Sequence, residues 1–255
     1  MTNRMSFIPS LFTVLNLFCG FLSIVNASNG EIEIACMFII YAGLFDAFDG
    51  VVARFTGTSS RFGVELDSLA DAVSFGAAPS FIFYKAFFYQ LDGFGIAIAA
   101  LLMIFAALRL ARFNTQLVGF DKNFFSGVPA PLAALTVSAF FLFYFNKNFN
   151  THTSEIFTYI LALGLPALMV SKFKYDTTPK ISGREIKKHP VKFIIIFLVI
   201  ALVAFTRGEG LFAFCLFYLS TGIFRGIKNQ IRKIFSGKKP TEDTSEENLE
   251  LKSQR

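Results

Sequence analysis

Soft metal chemistry has almost no material in this chain: its 255 residues include two histidines and three cysteines. Cys19, Cys36 and Cys215 each lie inside an apolar block with no CxxC spacing. They read as small buried hydrophobes rather than disulfide partners or zinc ligands. His152 and His189 stand apart in polar connections and read as ordinary loop residues. Charge is scarce too: 16% of residues are charged, against about 25% in a soluble domain. That shortfall excludes an ordinary soluble enzyme. In its place stand 54% hydrophobic residues, 35 of them phenylalanine, and a mean hydropathy of +0.55. The apolar residues recur in blocks of about 20, the length a helix needs to cross a bilayer. The expected fold is all-α, a polytopic transmembrane helix bundle with no room for a second folded domain.

About eight spans are expected. They run near Pro9–Asn26, Ile32–Phe55, Val64–Tyr89, Phe94–Phe113, Val128–Phe145, Ile156–Val170, Phe193–Phe205 and Leu211–Phe224. The last two are short, so their boundaries are soft. Arg4 and the apolar run behind it resemble a signal peptide. Thr13 and Asn16 interrupt that run and many spans follow, so it is read as a retained first span. These two polar residues are three apart and share a helix face. Bonding to neighbouring helices and contact with a substrate both account for them.

The net charge is +6, and its placement argues for a membrane surface rather than a nucleic acid. With the N-terminus in the cytoplasm, all 24 Lys and Arg except Lys85, Lys147 and Arg207 fall on the cytoplasmic side. That bias places both termini in the cytoplasm. Residues 237–255 are polar, mixed in charge and poor in aromatics, and are expected to form a disordered tail.

Against this apolar background, Asp46, Asp49, Asp67 and Asp71 fall within 26 residues. Acids within spans are rare and mark function. Asp46 and Asp49 share one face of the second span, Asp67 and Asp71 one face of the third. The connection TGTSSR is short, so the two helices run antiparallel and the four carboxylates converge near the cytoplasmic surface. Like charges held that closely raise one another's proton affinity, a conflict that a divalent cation resolves. Ligation by oxygen alone points to Mg²⁺ or Mn²⁺, and such ions commonly handle phosphate. Gly50 and Gly63 allow close backbone approach to a ligand, Ala53 is small, and Arg54 offers a fork for phosphate oxygens. Close helix packing and membrane flanking are the plainer readings of the same residues.

The spacing Asp46-x2-Asp49-Gly50-x2-Ala53-Arg54-x8-Gly63-x3-Asp67-x3-Asp71 resembles, at every position, the signature of the CDP-alcohol phosphatidyltransferase family. The segments PSLFTVLN (9–16), DSLADAVSFGAAPS (67–80), RLARFN (109–114) and FSGVPAP (125–131) resemble its membrane-embedded phosphatidylserine synthases. The resemblance implies a catalytic transmembrane domain over 1–236 in a bacterial-type inner membrane, with the active site facing the cytoplasm. It implies attack of L-serine on the β-phosphate of CDP-diacylglycerol, releasing CMP. Asp46, Asp49 and Asp67 would hold the metal. Asp71 would ligate it or take the alcohol proton. Gly50, Ala53, Arg54 and Gly63 would meet the CDP portion, with Thr13 and Asn16 added to the CDP-lipid contacts. A homodimer is also implied by the resemblance.

Serine brings a carboxylate into a partly desolvated site, where it wants a fixed cation. Arg109 and Arg112, near the cytoplasmic end of the fourth span, are the candidates for binding this acceptor, although headgroup anchoring accounts for them equally. Lys85 reads as snorkelling to the outer interface. The same chemistry with glycerol 3-phosphate, inositol phosphate or choline is an alternative, and a phosphorylated acceptor would need a denser basic pocket. A cation transporter is the reading from another class. It is disfavoured because no repeated halves are visible and the acids gather at one face of the membrane.

Overall fold

A computed structural model describes residues 7–56, 61–116, 124–171, 173–176 and 205–235. The expected seventh span (except Phe205) and the tail 237–255 lie outside them. The helices are α1 (Phe7–Ser28), α2 (Ile32–Thr56), α3 (Arg61–Asp71), α4 (Ala78–Ala86), α5 (Asp92–Gln116), α6 (Ala130–Phe143), α7 (Thr151–Val170) and α8 (Gly210–Phe235). Five stretches are long and apolar enough to cross a membrane: Ser10–Ser28, Ile32–Val52, Phe88–Thr115, Ala130–Asn148 and Thr151–Val170. Their outer faces carry exposed Leu11, Phe18, Phe21, Leu44, Phe94, Ile104 and Ile160. A large apolar exterior of this kind matches an integral membrane protein.

The expected third span is a composite. A π-helical turn, Ala72–Ala77, separates α3 from α4, and it follows directly on Asp71. Turns of this kind are rare and gather at functional sites. The all-helical expectation needs one addition, a ribbon of β1 (Phe124–Ser126) and β2 (Lys174–Asp176). The two strands pair antiparallel with Phe125 opposite Tyr175. At Gly127 the chain turns out of this ribbon with φ +81°, against the Met169 carbonyl, where no side chain fits. The Gly127 N–H donates to the Phe173 carbonyl at 2.9 Å. The ribbon therefore fastens the start of α6 to the end of α7.

α3, the π-helical turn and α4 follow one another without a break, and the bundle has two unlike ends. At the end away from the aspartates, rings from α4, α6, α7 and α8 interlock. Phe83 meets Phe141 at 5.7 Å, Phe140 meets Phe212 at 5.5 Å, and Phe149 meets Phe157 at 4.9 Å. Offset and edge-on pairs like these add stabilisation beyond simple burial. On the same side Lys147 Nζ reaches Glu33 at 2.6 Å, joining the start of α2 to the α6–α7 turn.

α1 lies against α2 and the π-helical turn through a stripe of Thr13, Asn16, Gly20, Ser23 and Ala27, all buried. This stripe is small and polar, the composition that lets membrane helices approach closely. Ser23 Oγ donates to the Ala35 carbonyl at 2.8 Å. Gly20 sits on Ser74, so a Cβ there would collide with Ser74 Oγ and come within 2.8 Å of its Cα. The contact lets Ser74 Oγ donate to the Asn16 carbonyl at 2.9 Å. Gly20→Ala must push α1 off the π-helical turn. A loss of roughly 1–3 kcal/mol is expected, read as a lower thermal unfolding midpoint of the purified protein in detergent.

Candidate active site

α2 and α3 bring the acids together from opposite directions. Asp46 and Asp49 project from one face of α2, and Asp67 joins them from α3. One carboxylate oxygen from each lies within 4.8 Å of the others. Asp67 Oδ1 is buried with no hydrogen-bond partner among the described residues. An unpartnered carboxylate oxygen on one of three clustered carboxylates is the kind of group that a cation would satisfy. Three hard oxygen donors, with no sulfur or imidazole among them, fit a divalent ion of the Mg²⁺ or Mn²⁺ type.

Asp71 is set apart from that trio. It lies one turn further along α3, 8% exposed, and close enough to Asp46 and Asp67 for their charges to act on it. Asn16 Nδ2 donates to Asp71 Oδ1 at 3.2 Å. Thr13 Oγ1 donates to Asp49 Oδ2 at 2.6 Å. Thr13 and Asn16 thus turn their donors onto two of the four acids. Of the two readings of this pair, the geometry displays bonding to neighbouring helices.

The remaining predicted positions fall around the same end. Gly50 follows Asp49 on α2, and Gly63 lies in the first turn of α3; both are half-buried. Ala53 and Arg54 continue α2, with side chains outside the described residues. Arg109 on α5 is half-buried and close enough to Asp71 for the carboxylate charge to act on it. Its Nε is buried and has no partner among the described residues. Arg112 lies about one turn further along α5, also half-buried.

Two residues escaped the reading of the sequence. Asn114 Nδ2 donates to Ser68 Oγ at 2.9 Å, tying α5 to α3 beside Asp67. Ser74 steadies the backbone of Asn16. Both stand inside motifs that resemble the family, but a polar residue's partner on another helix leaves no trace in local spacing.

Comparison with known proteins agrees with this arrangement. The family model for CDP-alcohol phosphatidyltransferase matches residues 6–170. A CDP-diacylglycerol–serine O-phosphatidyltransferase of Helicobacter pylori is 38% identical over 239 residues, 93% of this chain and 98% of that protein. One of the same name from Bacillus subtilis is 36% identical, over 72% of this chain and 97% of its own. An archaetidylserine synthase of Methanothermobacter thermautotrophicus is 37% identical over 69% of this chain and 71% of its own. From the spacing of its acids, their convergence between α2 and α3, and these likenesses, the chain belongs to the CDP-alcohol phosphatidyltransferase family.

Proposed function

We propose that this enzyme transfers the phosphatidyl group of CDP-diacylglycerol to the hydroxyl of L-serine, giving phosphatidylserine and CMP. The observation that carries the reading is the meeting of Asp46, Asp49 and Asp67 with Asp71 standing beside them. Serine as the acceptor is supported by the names of the relatives. A cation held by Asp46, Asp49 and Asp67, Mg²⁺ or Mn²⁺, supplies neutralisation of the diphosphate charge when bound.

The protein's own groups do the rest. Asp71 takes the proton of the serine hydroxyl as its oxygen bonds to the β-phosphorus. The bond from that phosphorus to the bridging oxygen breaks, and CMP leaves with the electron pair. Gly50, Ala53, Arg54 and Gly63 bear on the CDP portion, where bare backbone and a guanidinium suit a nucleotide diphosphate. Arg109, with Arg112 further out, draws the serine carboxylate. The catalytic unit spans 1–236 in about eight membrane crossings, with both termini and the active site on the cytoplasmic side. It resides in a bacterial-type inner membrane, and by family resemblance it works as a homodimer.

Asp71→Asn is expected to retain the fold and lose CMP release by about 10²–10⁴-fold, the usual contribution of a positioned base. Purified protein with Mn²⁺, CDP-diacylglycerol and a panel of alcohols checks both the base and the acceptor. Near-normal turnover of the variant would remove Asp71 from its role. Activity with another alcohol and none with serine would reassign the substrate. Thr13→Val keeps the shape and removes the donor to Asp49. It is expected to raise the Mn²⁺ concentration for half-maximal CMP release by about tenfold, as loss of a group orienting a metal ligand does. Thr13→Ser, which keeps the hydroxyl, should titrate with Mn²⁺ like the parent.

A further inference from the structure

Buried polar atoms without partners are few in native proteins, and each one asks for an explanation. Three such atoms belong to neighbours of Asp71: Asp67 Oδ1, Asn16 Oδ1 and Arg109 Nε have no partner among the described residues. The first belongs to the carboxylate cluster that would hold the cation. The other two, an acceptor and a donor, belong to helices that flank Asp71 from different sides.

Asn16 is fully buried, with one bond orienting its amide and another holding its backbone. Its Nδ2 is committed to Asp71, and Ser74 Oγ is spent on its main-chain carbonyl. The amide cannot turn over without setting its oxygen against the carboxylate of Asp71. Its Oδ1 is therefore held as an acceptor beside the proposed base. An oxygen so placed, next to negative charge, repels an anion and welcomes a positively charged donor.

We propose that Asn16 reads the ammonium group of the acceptor, receiving it on Oδ1 while its amide nitrogen holds Asp71. Arg109 takes the acceptor's carboxylate on the other side of the same base. The acceptor class follows from the two signs: a hydroxy amino acid, its hydroxyl at Asp71 between an ammonium at Asn16 and a carboxylate at Arg109. The inference rests on the transferase reading proposed above, and it makes Asn16 a determinant of specificity. A purely structural asparagine would gain nothing from a desolvated, unanswered oxygen.

The test uses the full chain in detergent with CDP-diacylglycerol and Mn²⁺. CMP release is measured with L-serine, with 3-hydroxypropanoate, which lacks the ammonium, and with ethanolamine, which lacks the carboxylate. The parent protein should favour serine over each analogue by about 10²-fold or more in kcat/KM, because a polar site left unanswered rejects the analogue. Asn16→Leu should slow all three through Asp71. It should also shrink the serine to 3-hydroxypropanoate ratio to within about tenfold while leaving the serine to ethanolamine ratio large. Arg109→Met should do the reverse. If Asn16→Leu does not fold, Asn16→Ala removes the amide without adding bulk and gives the same comparison.

Equal slowing of serine and 3-hydroxypropanoate by the Asn16 variants would overturn the proposal, leaving Asn16 a positioning residue for Asp71 alone. So would a parent protein that accepts 3-hydroxypropanoate as readily as serine. Neither result touches the transferase reading. That reading fails only if serine yields no CMP at all while another alcohol does.

Discussion

Mutual repulsion among four closely set carboxylates, one buried and three half-buried, is the constraint that the rest of this bundle answers. Asp46, Asp49 and Asp67 present oxygens within 4.8 Å of one another, and Asp71 lies within reach of their charges. Lipid-facing helices offer no water to dilute that charge. The fold responds with donors from a third helix. Thr13 and Asn16 each give a hydrogen bond to one acid, and the close crossing at Gly20 and Ser74 holds α1 near enough to do so. Without such donors the acids would be driven apart or neutralised.

The two ends of the bundle divide this work. Interlocked phenylalanines fill the end away from the acids, where α4, α6, α7 and α8 meet. Aromatic packing of this density resists rearrangement. The other end is held by polar and main-chain contacts as well as rings, among them Asn114 to Ser68 and the ribbon at Phe124–Ser126. Rigidity at one end leaves the other free to be built for chemistry.

Much of this was legible in the chain because its signals are local. Blocks of apolar residues marked the spans, and the five stretches long and apolar enough to cross a membrane overlap five of the eight expected. The i, i+3 and i, i+4 spacing of the aspartates placed each pair on one helix face, and the short connection brought the pairs together. What the sequence withheld depends on more than one helix. The π-helical turn after Asp71 is selected by packing against α1 and α5, and local propensity does not announce it. The ribbon joins residues about fifty apart in sequence, and three-residue strands carry too little periodicity to be noticed. Thr13 and Asn16 were found by their polarity, but their partners were not, since a hydrogen bond between helices is fixed by the crossing.

The crossing of α1 over Ser74 has a consequence for how this chain can vary in length. Asn16 and Gly20 are one helical turn apart, and each meets a different feature of the α3–α4 segment, the carboxylate of Asp71 and the π-helical turn. One residue inserted between them would rotate Thr13 and Asn16 by about 100° relative to Gly20. Both donors would then swing away from the acids while the helix itself stayed intact. The first span is therefore a ruler as well as an anchor, and its tolerance for insertion belongs at its ends and not between Thr13 and Gly20.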